Sequence, residues 1–301
     1  MAFKLPKEVA MDIVQAGVKK AALPVNKTLV LGFLAGAYIA LGGLLAVRVS
    51  GAVPNEVWGS LQKLIFAGVF PVGLMMVIIA GAELATGNFM TQPLALLERK
   101  IGVNGVFKNW VLAYLGNFIG SIFVAFFLAY MTGLTLEPVK TGDVVAKMPW
   151  AAFIVNLANA KTALNWWEAF WRGVGCNWLV ALAVWMAFSA NDIAGKIYAM
   201  WWPIMAFVAV GFEHSVANMF FIPLGIFVGN NPAYVAFTHT AQGIATQAPV
   251  LKATWETFFV NNLIPVTLGN IVGAGLFVGT VYWYVYLKAE KERSVRFSKA
   301  A

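Results

Sequence analysis

Apolar residues dominate six long stretches of this chain: 28–49, 61–97, 110–134, 167–190, 197–228 and 258–287. Short segments between them hold most of the charge. Each stretch reaches the ~20 residues that a helix needs to cross a bilayer, and the second and fifth are too long for one straight crossing. Those two are also interrupted by polar residues in a shared frame, Gly-x-Glu-x-x-x-x-Asn, at Gly81–Asn88 and again at Gly211–Asn218. Each is therefore predicted as two half-helices joined by a non-helical break, and backbone of that kind must line a cavity or be buried in protein. The third and sixth stretches share a second frame, Gly-Asn-x-x-Gly, around Asn117 and Asn270. Three crossings per half is an odd number, so the halves enter the membrane in opposite directions. The pattern predicts an all-α membrane protein with six transmembrane helices, a 3+3 inverted repeat with broken helices 2 and 5. Its site is expected near the midplane, where the repeats meet.

Ahead of the spans, residues 6–23 place Val9, Ile13, Val14, Gly17 and Ala21 roughly on one helical face. This suits either an amphipathic helix on the membrane surface or an ordinary terminal helix. The expected organisation is an N-terminal cytoplasmic or interfacial helix over 1–27, a six-span channel domain over 28–288 and a basic tail over 289–301.

Composition agrees with a membrane protein. Apolar residues make up 60% of the chain and charged ones 11%, against about 25% charged in soluble domains. The net charge of +8 is not gathered into a stripe with interleaved aromatics, so nucleic acid is not an expected partner. Counted by side, fourteen Lys and Arg fall with the termini and seven opposite. The positive-inside rule then puts both termini in the cytoplasm of a multi-pass plasma-membrane protein. Cys176 is the only cysteine, which rules out an intrachain disulfide. Residues 1–27 contain no apolar core of a signal peptide.

The chemistry lies in the two breaks. Half-helix N-termini present free N–H groups and the positive end of a dipole, which favour anions. Thr86 adds a hydroxyl in the first break and His214 an imidazole in the second. A histidine changes charge near physiological pH and suits a proton relay; the plainer reading is a hydrogen-bonded packing residue. At bilayer depth the functional reading is favoured, because ionisable groups there are costly. Glu83 and Glu213 are read mainly as structural, receiving N–H groups or pairing near the breaks. An enzyme is not expected: Ser215 beside His214 diverges from it by about 100° on a helix, poor geometry for a nucleophile and its base. Haem is not expected either, since His239 falls in a connecting segment, and no metal or cofactor is called for. Asn231-Pro-Ala233 matches the tripeptide at aquaporin pore centres, but the first half has no second copy. Asn capping a helix that opens with Pro explains it more simply, leaving a water or glycerol channel as a remote alternative.

Gly211-Phe-Glu-His-Ser-Val-Ala-Asn-Met-Phe220 resembles the signature of the formate/nitrite transporter family, and Ala80–Asn88 resembles that family's loop in the second span. The likeness runs from about Lys19 to Leu287. It implies an aquaporin-like fold and a homopentamer with one pore per subunit. It also implies that Phe70, Leu74 and Phe207 match the apolar constrictions and Leu84 the constriction residue of the loop. Thr86 and His214 match the central polar pair, Lys161 the basic residue of the extracytoplasmic vestibule, and Asn177 and Asn270 polar residues near the histidine. The expected function is transport of small monovalent anions or weak acids, formate first, with nitrite and hydrosulfide as alternatives. A bare anion between apolar rings loses hydration at a cost of several kcal/mol. A proton from His214 would let it cross as a neutral acid, so protons and the lipid bilayer are expected partners alongside the solute.

Overall fold

The computed structural model describes residues 3–141, 144–240 and 248–288. The first apolar stretch is the helix Val25–Ser50. The second begins as Ser60–Val69, is interrupted at Phe70-Pro71 where proline supplies no N–H, and resumes as Val72–Ala80. After the non-helical residues 81–84 it continues as Ala85–Leu97. The third is Val103–Phe123, carried on by wide helical turns through Tyr130; it starts seven residues earlier than its apolar run. The fourth, Trp166–Ser189, opens on a capping box in which Asn165 Oδ1 accepts from Glu168 N–H and Glu168 accepts from Asn165 N–H. The fifth is Ile193–Val210, capped by Asp192, followed by residues 211–214 and Ser215–Gly229. The sixth runs unbroken over Trp255–Lys288.

Among the described residues, five helices could each cross a membrane by length and composition, and a sixth if Ser215–Gly229 and Pro232–His239, bent by 66°, form one span. Trp166–Ser189 is not among those five, because Glu168, Arg172 and five tryptophans dilute its apolar character. It is nevertheless a full-length helix of 24 residues packed along the sixth span. Two features between the spans were not legible as apolar runs. One is a short antiparallel hairpin, Val139–Thr141 with Val144–Lys147, a small departure from an all-α chain. The other is a pair of connecting helices, Pro149–Thr162 and Pro232–Thr240. Asn231 Oδ1 accepts from Ala233 N–H at the start of the second, so Asn231 acts as the expected cap, and His239 lies on that short helix.

The inverted repeat is visible in the packing. The first and third spans lie against each other, and so do the fourth and sixth. In each pair the backbones touch: a β-carbon on Gly120 would run into the Phe33 carbonyl, and one on Gly273 into the Val174 carbonyl. Small residues allow this approach, which van der Waals packing then rewards in lipid. Pro93 and Pro223 sit at matching places in the two inner half-helices.

The N-terminal helix Pro6–Ala22 buries Val9, Ala10, Ile13, Val14 and Gly17. Its apolar face is taken up by protein, chiefly the half-helix Ala85–Leu97, not by a membrane surface. Gln92 Nε2 donates to the Gly17 carbonyl at 3.3 Å and Lys108 Nζ to the Leu23 carbonyl at 2.8 Å. The expected basic tail, 289–301, lies outside the described residues.

Candidate functional site

Both breaks are built to one plan. Each opens on a glycine with positive φ, 85° at Gly81 and 89° at Gly211, a conformation that a side chain would strain. The next N–H turns back to the preceding helix: Ala82 to the Val77 carbonyl at 2.9 Å, Phe212 to the Phe207 carbonyl at 3.0 Å. The glutamates then pair their own N–H groups with neighbouring spans, Glu83 with Leu31 and Glu213 with Arg172.

An asparagine on the third or sixth span braces each break from behind. Asn117 Oδ1 accepts from Ala85 N–H at 2.9 Å, and its Nδ2 donates to the Gly32 and Glu83 carbonyls at 2.8 and 2.9 Å. Asn270 repeats this with Ser215 N–H, Gly173 and Glu213 at 2.9, 2.8 and 3.0 Å. The backbone leaves the helix inside an apolar run, yet these groups are paired, as they must be where no water competes.

The carboxylates are held in a second repeated device. Lys161 Nζ donates to Glu213 Oε1 at 2.9 Å, while Oε2 accepts from Asn218 and Asn262 at 2.6 and 3.2 Å. In the other half Lys20 Nζ donates to Glu83 Oε1 at 2.7 Å, and Oε2 accepts from Asn88 and Asn109 at 2.9 and 3.4 Å. The expectation that both glutamates pair near the breaks matches this geometry. Lys20, Asn109 and Asn262 were not singled out by the sequence reading, although a signal existed. Lys20 and Lys161 stand twelve residues ahead of Gly32 and Gly173, and Asn109 and Asn262 eight ahead of Asn117 and Asn270.

At position 84 the plan changes. His214 Nδ1 accepts from Ala217 N–H at 3.0 Å and so caps the half-helix Ser215–Gly229. Its counterpart Leu84 has no group that could cap Gly87 N–H. The other ring nitrogen, Nε2, lies 2.9 Å from Thr86 Oγ1, so the central polar pair crosses from one repeat to the other. Because Nδ1 is the acceptor, the neutral ring carries its proton on Nε2 and donates it to Thr86 Oγ1.

Two cavities approach this pair from opposite sides. One, of about 620 Å³, is lined by Phe70, Phe207, Lys161, Glu213 and His214. The Phe70 and Phe207 rings meet edge to face at 6.1 Å. The other, of about 450 Å³, is lined by Leu74, Leu84, Lys20 and Glu83. Phe70, Leu74, Leu84 and Phe207 are each at most 3% exposed, the two phenylalanines on the wall of the first cavity and the two leucines on the wall of the second. Asn177 and Asn270 line neither cavity. Asn177 Nδ2 donates to the Thr86 and Asn270 carbonyls at 3.1 and 2.7 Å, fixing the backbone that carries Thr86. Among the described residues no group of three His, Cys, Asp or Glu is placed to hold a metal.

Residues 7–284 match the family model described as "Formate/nitrite transporter". The chain is 49% identical to a probable formate transporter of Methanothermobacter thermautotrophicus, over 95% of this chain and 98% of that one. It is 40% identical to a formate channel of Bacillus thuringiensis, over 96% and 98%. Among solved structures, a pentameric formate channel with formate bound superposes with a TM-score of 0.70 at 32% identity, covering 87% of this chain and 98% of that one.

Proposed function

This chain belongs to the formate/nitrite transporter family, and on that footing we propose that it carries small monovalent anions or their weak acids, formate first, across the plasma membrane. The observation that carries the reading is the buried Thr86–His214 pair, with a cavity lined by Phe70, Phe207 and His214 on one side and a separate cavity lined by Leu74 and Leu84 on the other. An anion entering the Lys161 side finds net positive walls, reaches the Phe70–Phe207 layer, and loses water there. The Thr86 hydroxyl, which accepts from His214 Nε2–H, keeps its own hydrogen for the solute. The family's pentameric member supports a homopentamer with one pore per subunit. The excess of Lys and Arg on the side of the termini supports a cytoplasmic location for both.

Proton transfer to the solute has a definite requirement. Giving up the Nε2 proton from the neutral ring would leave an imidazolate, so Nδ1 must first gain a proton, and it can do so only by releasing Ala217 N–H. A proton taken at Nδ1 and another given from Nε2 leaves a neutral ring in the opposite tautomer, and the solute as a neutral acid. Returning the ring to its starting state requires the Nδ1 proton to leave, a proton to be regained at Nε2 from solvent, and the cap from Ala217 N–H to re-form. The relay thus couples to the first turn of Ser215–Gly229.

Uptake by proteoliposomes of purified protein, comparing formate, nitrite and hydrosulfide across pH, tests the reading. Formate flux is expected; flux of the other two without formate would refute formate as substrate.

A further inference from the structure

The larger cavity is lined by three cationic side chains, Lys63, Lys161 and Arg172, and one carboxylate, Glu213. They are not equivalent. The Lys161 ammonium stands 2.9 Å from Glu213, its side chain is only 13% exposed, and its charge is matched inside the wall. Lys63 and Arg172 are exposed, and neither makes an ion pair among the described residues. Both flank the second break. Lys63 Nζ lies 3.9 Å from the point where a β-carbon on Gly211 would stand, and the Arg172 carbonyl accepts Glu213 N–H at 3.2 Å.

The repeat supplies an internal control. The counterpart of Arg172 is Leu31, whose carbonyl accepts Glu83 N–H in the same way at 3.1 Å. Lys63 stands eighteen residues before Gly81, and its counterpart Ile193 stands eighteen before Gly211. The first break therefore makes the same backbone bond with an apolar residue at 31, and its cavity draws its further cations from other positions, Lys19 and Lys196, beside the paired Lys20. Nothing in the architecture demands a cation at 63 or 172, and burying no partner, these charges act outward into the cavity.

We propose that Lys63 and Arg172 form the anion-collecting site of this mouth, ahead of the Phe70–Phe207 layer, while Lys161 serves Glu213 and the break. The assignment rests on the reading that the pore takes a small monovalent anion. A unit charge near a solvated anion is worth on the order of threefold in local concentration, and salt screens it.

The test is formate flux into proteoliposomes at fixed pH, in low and high salt, for wild type, Lys63→Gln, Arg172→Gln and the double variant. At low salt the half-saturating concentration is expected to rise about threefold for each charge removed. The difference should shrink in high salt, and Lys63→Arg should stay with the wild type. Thermal unfolding temperatures of all variants should match, which separates the effect from misfolding. A double variant that saturates like wild type at low salt overturns the assignment alone. So does a shift that salt leaves untouched. A wild-type protein that conducts none of formate, nitrite or hydrosulfide overturns both this assignment and the transport reading beneath it.

Discussion

His214 uses its two ring nitrogens for two purposes, and a substitution can separate them. Asparagine is among the best helix N-caps, so His214→Asn is expected to keep the start of Ser215–Gly229 while removing titration. Flux of the neutral acid, normalised to assembled protein, should fall strongly at every pH tested. A variant matching wild type in magnitude and pH profile would eliminate the relay. His214→Leu copies the residue at position 84 and loses the cap as well, so its unfolding temperature should drop by the equivalent of about 0.5–2 kcal/mol. Lys161 gives a different signature. Removing one partner of a buried pair leaves the other charge uncompensated, at about 3–5 kcal/mol. Lys161→Ala is therefore expected to lower thermal stability sharply, and adding Glu213→Gln should restore part of it. Equal stability of the single variant and wild type, measured in detergent, would contradict the buried-pair account.

At the scale of elements, the breaks are held by asparagines that carry three hydrogen bonds each. Asn117→Leu and Asn270→Leu would each orphan one buried N–H and leave two carbonyls without that donor. With about 1–3 kcal/mol for each unsatisfied group, both should destabilise the protein severely and to a similar degree. A mild effect at one and a severe effect at the other, by thermal unfolding, would mean that the repeats do not share their load as the geometry implies. Much of this level was legible in the sequence. The frames Gly-x-Glu-x-x-x-x-Asn and Gly-Asn-x-x-Gly identified the breaks, because glycine and a buried polar residue leave a mark inside an apolar run. Lys20 was missed because it lies outside any span, on a helix whose docking depends on tertiary contact with Ala85–Leu97. Asn109 and Asn262 were missed because only the second member of each Asn pair carries flanking glycines. The functional weight of Lys63 and Arg172 was equally hidden. A charge count treats all cations alike, and only coordinates reveal which ones have partners.

For the whole molecule, sidedness is open to a direct check. Cys176 is fully buried, so the native thiol should resist labelling and serve as a silent background. A cysteine at position 140 should label from outside intact cells, and one at 290 only after permeabilisation; the reverse pattern would overturn the orientation drawn from charge. The two apolar layers have a bioenergetic consequence beyond filtering. Protons move fast along hydrogen-bonded files of water, and a dry ring would cut such a file, so the proposed passage would let a proton cross only aboard the acid. With the neutral form equal on both sides at rest, the anion accumulates on the alkaline side by about tenfold per pH unit. On the proposed reading, the Phe70–Phe207 and Leu74–Leu84 layers thereby turn a passive passage into a gauge of transmembrane pH, reading it out as a concentration ratio.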